Sequence, residues 1–441
     1  MTSWVILGGI VALVLLFYAL WDRIEHRKVS AAAREQADVA AMGEAVPASL
    51  HPQIDPGRCI QSGACIAGCP EKGVIGLVGG RAHLINPLAC IGHGTCEKAC
   101  PVGAIELVYG TRTRGLELPR IGPDFQTNQP GIYIVGELSG MGLIRNAVKQ
   151  GAEAAQNIAE GSGGEPGRRG LNGAYDAIVV GAGPAGISAT LGLLAANLRV
   201  LMVERELFGG TIMHYPRAKV VMTGELELPV YGRVRQKIMS KEELVSIWND
   251  IFEKVKPPLV TEELVERLAR DADGMWVIHT SKGTHRAANV ILALGMRGAP
   301  AKLGVAGEDD KKVSYRLLEP DPFADQHVLV VGGGNAAVES ALALSDFGRC
   351  KSVSISYRRD KFARCRAENR RRIDEAIANK KVCFLPNTQV SRIYSGGITL
   401  RGNGRERDLA NDAVIVQIGG TPPTSILKSF GVELVTKYGE R

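Results

Sequence analysis

The sequence lacks a strong charge of either sign. Against 53 Lys and Arg stand 46 Asp and Glu, and the formal net charge of +7 is dispersed rather than gathered into one patch. A solvated basic surface accounts for that excess, which argues against nucleic-acid binding. Aromatic side chains are also few, 5% of the chain beside a 45% hydrophobic content, a balance that suits an α/β protein and not a disordered or fibrous one. At 441 residues there is room for about three domains.

Charge is absent altogether from Trp4 to Trp21. A helix of that length is close to the minimum that spans a bilayer, and Trp4, Tyr18 and Trp21 stand near its ends, where aromatics favour the interface. Arg23, Arg27 and Lys28 follow at once, so the positive-inside rule places the rest of the chain in the cytoplasm. The small residues of VSAAA offer an alternative, a cleaved signal peptide, but no Lys or Arg precedes the apolar run as its n-region requires. The expectation is a single-pass anchor over residues 1–28 in the inner membrane, with a cytoplasmic globular part. An Ala/Glu-rich stalk or linker follows over 29–53.

Nine cysteines are present, and six fall in two runs. CIQSGACIAGCP supplies Cys59, Cys65 and Cys69; CIGHGTCEKACP supplies Cys90, Cys96 and Cys100. Both fit the spacing C-x2-C-x2-C-x3-C-P except at its second position, which holds Ser62 in one run and His93 in the other. Thiolates at these intervals suit the corners of an iron–sulfur cube. Zinc is the alternative, but zinc does not need the paired C-x3-C-P endings. A cytoplasmic compartment argues against disulfides.

The runs resemble a bacterial two-cluster ferredoxin. That resemblance implies that the fourth Cys of each run serves the other cluster, so Cys59, Cys65 and Cys100 share one site and Cys90, Cys96 and Cys69 the other. Each site then has three cysteines. A [3Fe-4S] cluster, or a [4Fe-4S] cluster with Ser62, His93 or water on the fourth iron, satisfies either.

Two dinucleotide motifs follow. YDAIVVGAGPAGISATLGLLAANLRVLMVERE reads as strand, Gly-rich turn, helix and second strand ending in Glu204. Gly181 permits the turn, Gly183 admits a pyrophosphate, and Gly186 lets helix and strand pack closely. Glu204 lies at the spacing of a ribose-binding carboxylate. The second copy, HVLVVGGGNAAVESALALSDFGRCKSVSISYRRD, has Gly332, Gly334 and Ala337 as its G-x-G-x-x-A. Its second strand ends in Arg358 and Arg359 instead of an acid, which favours the 2′-phosphate of NADPH, with Arg364 as a third contact; a merely basic helix face is the competing reading.

Two such sites about 150 residues apart resemble the thioredoxin reductase-like family of FAD/NAD(P)H oxidoreductases. VILALGMRGAP and AVIVQIGGTPPTSIL resemble the two crossovers between its domains, and GGTIMHYPRAKVVMT resembles a flavin-side segment of its bacillithiol disulfide reductase branch. The resemblance implies FAD at Gly181, Gly183, Pro184, Ala185, Gly186, Glu204, Arg205, Gly210 and Thr211. It implies NADPH at Gly332, Gly334, Asn335, Ala336, Ala337, Arg358 and Arg359.

The family ordinarily ends with a strand of the type GIYAAGD and a helix. Here GIYIVGE, Gly131 to Glu137, and the helix after it stand upstream of the first dinucleotide motif. The sequence therefore resembles a circular permutation, in which Gly136 and Glu137 reach the FAD ribityl chain. Glu137 replaces the family's Asp. The joint, Gly161 to Ala174, is flexible and long enough to reach a neighbour, so the segment acts in cis or swapped within a homodimer.

The fold expected is α/β: two Rossmann-like dinucleotide-binding domains for FAD and NADPH, a small α+β ferredoxin domain and one N-terminal transmembrane helix. The ferredoxin domain spans 54–107, the permuted segment of the FAD domain 108–160 and a linker 161–174. The FAD domain spans 175–299, the NAD(P)H domain 300–421, and the return to the FAD domain 422–441.

The redox C-x-x-C of thioredoxin reductases is missing, since no cysteine lies between Ala301 and Gly332. The bacillithiol branch's loop cysteine is Ala185 here. Cys350, Cys365 and Cys383 form no close pair. Electrons then leave through the iron–sulfur module. The expected function is a membrane-anchored oxidoreductase between NADPH and a one-electron carrier: a cytochrome, a ferredoxin or a quinone-linked membrane protein. The alternatives are a disulfide reductase using Cys365 or a partner's thiol, and a non-catalytic electron-transfer subunit. No general acid or base is named, because hydride transfer needs orientation rather than proton chemistry.

Overall fold

The computed structural model describes residues 2–41, 47, 49–161, 169–215, 217, 219–222, 224–296, 300–362, 364–420 and 423–440. The centre of the 161–174 joint and parts of both crossovers and of the GGTIMHYPRAKVVMT segment lie outside the described residues. The chain divides into two compact units, Met1–Leu116 with Tyr438–Arg441, and Glu117–Lys437.

The first unit opens with helix α1 (Thr2–Ala41). Among the described residues, no helix is long and apolar enough to cross a membrane. The expected transmembrane helix over 1–28, and the inner-membrane localisation built on it, are corrected accordingly. The side chain of Trp4 lies outside the described residues. Within the same helix the apolar stretch gives way at Asp22, Arg23 and Glu25 to a charged, polar continuation. The later part of α1 packs as ordinary structure: Ala32 and Val39 are buried, Ala32 lies under Gly76, and Glu35 accepts a hydrogen bond from Asn86 Nδ2 at 3.2 Å.

The cysteine runs fold as near repeats. Helix α2 (Ala64–Gly68) follows Gly63, and helix α3 (Thr95–Ala99) follows Gly94; each ends at a cysteine, Cys69 or Cys100. Small residues let the two helices meet, and a Cβ on Gly68 would lie 3.1 Å from that of Ala99. Two antiparallel pairs frame them, His51–Ile54 with Ile105–Val108 and Ile75–Val78 with Arg81–Leu84.

The second unit is built on two mainly parallel sheets. The first orders its strands Leu259–Val260, Val200–Val203, Tyr175–Val180, Thr284–Leu292, Trp276–Thr280, Val265–Arg270. A seventh, Ile132–Ile134, runs parallel to Thr284–Leu292, with Tyr133 opposite Ile291. The central strands read as apolar runs because helices cover both faces of a parallel sheet. Helix α5 (Pro184–Ala195) is apolar all round and almost wholly buried, because helix α4 (Ile144–Glu160) covers its outer side. Gly151 makes that approach possible: a Cβ there would collide with the Ala185 carbonyl oxygen. Ser188 Oγ donates to the Val148 carbonyl at 2.7 Å across the same contact. Helix α6 (Lys241–Lys254) begins in a capping box between Ser240 and Glu243, and its buried Trp248 and Ile251 join the same core.

The second sheet is wholly parallel, in the order Val313–Ser314, Ala413–Val416, His327–Val331, Ser352–Tyr357, Cys383–Pro386. Helices α7 (Asn335–Phe347) and α8 (Ala367–Ala378) pack with it, and a three-stranded antiparallel sheet from Thr388 to Ala410 completes this half. A short helix, α9 (Thr424–Ser429), then returns to the first half, where Lys428 pairs with Glu117 and Arg120 with Glu433. The architecture is α/β with two Rossmann-like halves.

Candidate functional site

A cavity of about 550 Å³ lies in the second unit, and both Gly-rich motifs contribute to its wall. Gly181, Gly183, Pro184 and Ala185 border it from the first motif, with Glu204, Arg205, Gly210 and Thr211 beside them. Gly186 lies behind, where a Cβ would collide with the Gly181 carbonyl; only glycine lets α5 start so close to its strand. Glu204 is buried and holds the turn itself: one carboxylate oxygen accepts the Ala182 N–H at 2.7 Å, the other the Glu206 N–H at 2.9 Å. A carboxylate offers about four lone-pair positions, so capacity remains for a ribose hydroxyl.

The Gly131–Glu160 segment reaches this cavity. Gly136, Glu137, Leu143, Ile144 and Ala147 border it. The Gly136 N–H donates to buried Gln150 at 2.7 Å, which fixes the turn between strand and helix. Glu137 is exposed, with its carboxylate beside Gly142 and Gly295.

The second motif starts α7. Gly332 donates to the Ser356 carbonyl at 3.0 Å, Gly334 precedes the helix, Asn335 begins it, and Ala337 is fully buried. Ala336, Glu339 and Ser340, three and four residues apart and so on one helix face, border the cavity. Arg358 and Arg359 directly follow the strand Ser352–Tyr357. Arg364 bridges Gly334 through the backbone, and Asn335 Oδ1 accepts the Arg366 N–H at 2.8 Å. The arginine-rich stretch thus runs past the second Gly-rich turn.

Sequence reasoning missed a cluster of charges on this wall. Arg316, from the second half, donates to both oxygens of Glu206 at 3.0 and 2.9 Å, and His214 Nε2 lies 2.7 Å from the same carboxylate. The Arg316 hydrogen bonds hold the Glu206 carboxyl down at about 2. Burial, then the Arg316 charge, pushes His214 below the ordinary imidazole value. Lys219 pairs with Glu339 at 2.9 Å. Glu206 stands two residues past Glu204 and was within reach of the motif; its partner is 110 positions away, and no local pattern announces it.

The six clustered thiols form two groups in the first unit. Burial pushes Cys65 up, and Cys59 and Cys100 push it further. Burial pushes Cys90 and Cys96 up to about 11, with Cys69 adding to both. The groups are therefore Cys59, Cys65, Cys100 and Cys69, Cys90, Cys96. The Ala104 N–H donates to Cys100 Sγ at 3.2 Å. Ser62 is exposed and borders a small cavity with Cys59, Cys65 and Cys100; half-buried His93 holds the equivalent place before Gly94. Among the described residues, no three His, Cys, Asp or Glu side chains converge closely enough to hold a single metal ion. The chemistry of each trio fits a thiolate-bound metal group: soft donors whose ionisation a nearby cation makes favourable.

Of the remaining cysteines, Cys350 is half-buried and Cys383 exposed. Cys365 is fully buried, and its thiol is pushed up to about 11 by burial, which makes it a poor nucleophile.

Two Rossmann-like halves facing one cavity define a dinucleotide-dependent redox enzyme. Residues 178–439 match the family model described as pyridine nucleotide-disulphide oxidoreductase, and the chain belongs to that FAD/NAD(P)-binding family. Residues 51–101 match a 4Fe-4S dicluster domain, which the chain carries in addition. Among curated relatives, the ferredoxin–NADP reductase of Metallosphaera sedula is 29% identical over 272 residues, 59% of this chain and 77% of that protein. The thioredoxin reductase of Mycolicibacterium smegmatis is 31% identical over 264 residues, 58% of this chain and 78% of that one. Among solved structures, the bacillithiol disulfide reductase of Bacillus cereus shares the fold at a TM-score of 0.52 and 22% identity, covering 59% of this chain and 82% of that one.

Proposed function

We propose that this oxidoreductase moves electrons between NADPH and a one-electron carrier, by way of FAD in the 550 Å³ cavity and two iron–sulfur clusters in the cysteine unit. One observation carries the reading: a cavity bordered by both dinucleotide motifs occurs in the same chain as six thiols in two trios. FAD, when bound, exchanges hydride as an electron pair and single electrons one at a time, which suits it to join NADPH to iron–sulfur chemistry.

The chain's own residues have defined tasks in this scheme. Gly181 and Gly183 admit the FAD pyrophosphate at the start of α5, and Glu204 keeps their turn in shape while accepting a ribose hydroxyl. Glu137 orients the ribityl chain. Arg358, Arg359 and Arg364 receive the 2′-phosphate of NADPH beside α7. Cys59, Cys65 and Cys100 hold one cluster, Cys69, Cys90 and Cys96 the other, with Ser62 and His93 at the fourth corners. The Gly131–Glu160 segment is the family's closing strand and helix, transposed by circular permutation. Supporting this, Ile132–Ile134 pairs with Thr284–Leu292 and α4 covers α5, all within one chain. The carrier is a cytochrome, a ferredoxin or a quinone-linked protein.

The disulfide reductase alternative finds no support at Cys365, whose thiol is buried and raised. Thiol alkylation of the loaded enzyme separates the two. NADPH-dependent reduction of a one-electron dye that survives alkylation supports electron transfer. NADPH-dependent disulfide reduction that alkylation abolishes overturns it.

A further inference from the structure

Lys219 occupies a place that neither Gly-rich motif accounts for. Its Nζ lies 4.4 Å from the centre of the Tyr215 ring, and Tyr215 borders the cavity. The same Nζ donates at 2.9 Å to Glu339 Oε2, on the cavity-facing side of α7 in the other half. Glu339 Oε1 accepts from Asn369 Nδ2 at 3.0 Å, and Asn369 also donates to Asn335 Oδ1, at the first residue of α7. Asn335 in turn takes the Arg366 N–H at 2.8 Å. A continuous polar chain therefore runs from the wall of the cavity to the second Gly-rich turn.

Lys219–Glu339 and Arg316–Glu206 both join the halves, and the first is the better shielded. The side chains of Lys219 and Glu339 are 24% and 19% exposed, against 35% and 34% for Arg316 and Glu206. Less water means less screening and a firmer hold. Lys219 also neutralises a carboxylate that would otherwise add negative charge to a cavity bordered by the first Gly-rich turn and the first turns of α7.

We infer that Lys219 is a positioning residue that ties the first turns of α7 to the Tyr215 wall, and so holds the second nucleotide loop where NADPH reaches the flavin. The inference rests on the reading that FAD fills the cavity and NADPH docks at α7. Lys219, itself on the cavity's border, acts through Glu339.

The test compares the wild type, Lys219→Ala, and the exchanged pair Lys219→Glu with Glu339→Lys. The first readout is hydrogen exchange in the flavin-free protein over residues 335–347 and 210–214. The second is the single-turnover rate at which NADPH bleaches the flavin, at matched FAD content. Lys219→Ala should speed exchange in both segments and slow bleaching by roughly 10- to 100-fold, the upper figure being that of an ångström's misplacement. The exchanged pair should restore both. Unchanged exchange and rate overturn the inference. Slower bleaching with unchanged exchange, or no rescue by the exchanged pair, overturns it too, since the lysine then acts on a dinucleotide directly. If Lys219→Ala does not fold, Lys219→Met keeps the aliphatic stem on Tyr215 and takes its place. Wild-type flavin that NADPH fails to bleach counts against the parent reading, while the exchange data still judge the tie.

Discussion

Glu206 sits among three cationic or titratable neighbours, Arg316, His214 and Arg205. Its carboxyl falls to about 2 in the folded chain, chiefly through the Arg316 hydrogen bonds, from an ordinary 4.5. The folded value is the lower one, so the tie contributes its full stability above about pH 4.5 and loses it as pH falls toward 2. In a His214→Asn background, which removes the imidazole's own titration, Glu206→Gln should lower the melting temperature by a constant amount above that window. The deficit should shrink inside it. A deficit independent of pH would mean that the charge plays no part.

The arginines after the second strand make a separate claim at this scale. Replacing Arg358 and Arg359 together by Ala should weaken NADPH by roughly 10- to 100-fold, as expected for losing one or two charge-assisted hydrogen bonds. NADH, which lacks the 2′-phosphate, should change little. Equal losses for both nucleotides in a binding titration would assign these side chains a structural task. At the cysteine runs, Ser62→Cys and His93→Cys should convert any site that lacks a fourth thiolate into an ordinary four-iron cluster of lower potential, read by Mössbauer and EPR spectroscopy.

Among the elements, α4 carries the permutation proposal. Its Gly151 faces the Ala185 carbonyl with no room for a side chain. Gly151→Ala should push α4 from α5 at a cost of about 1–3 kcal/mol and lower the FAD content of purified protein. Gly283→Ala, where a Cβ meets nothing within 4 Å, is the control. Normal FAD retention in Gly151→Ala would detach α4 from the cofactor site.

How far the elements were legible depends on how local their causes are. The turn at Gly181–Gly186 and the strand before it announce themselves within a dozen residues, because a dinucleotide loop needs closely spaced glycines. The strand Ile132–Ile134 was readable only by likeness to a segment normally found elsewhere. Its place beside Thr284–Leu292 is a contact across more than a hundred residues that no periodicity encodes. Helix α1 misled in the opposite way. Its apolar run was plain, but the same helix continues through charged residues from Asp22, and the buried Ala32 and Val39 leave no trace in a hydropathy profile. The ties Glu206–Arg316 and Lys219–Glu339 span 110 and 120 positions, and only the folded chain brings them together.

For the whole molecule, the central claim is that one chain converts paired electrons from NADPH into single electrons on iron. Family membership establishes the dinucleotide half, and the dicluster match the other. The most direct measurement mixes anaerobic, fully loaded protein with NADPH and freezes samples over time, following flavin absorbance and cluster EPR on the same preparation. The account predicts that the flavin bleaches first and that signals of reduced iron–sulfur clusters then grow at a matching electron count, without any added mediator. Flavin that stays reduced while the clusters remain oxidised, though chemical reductants reduce them, would contradict it.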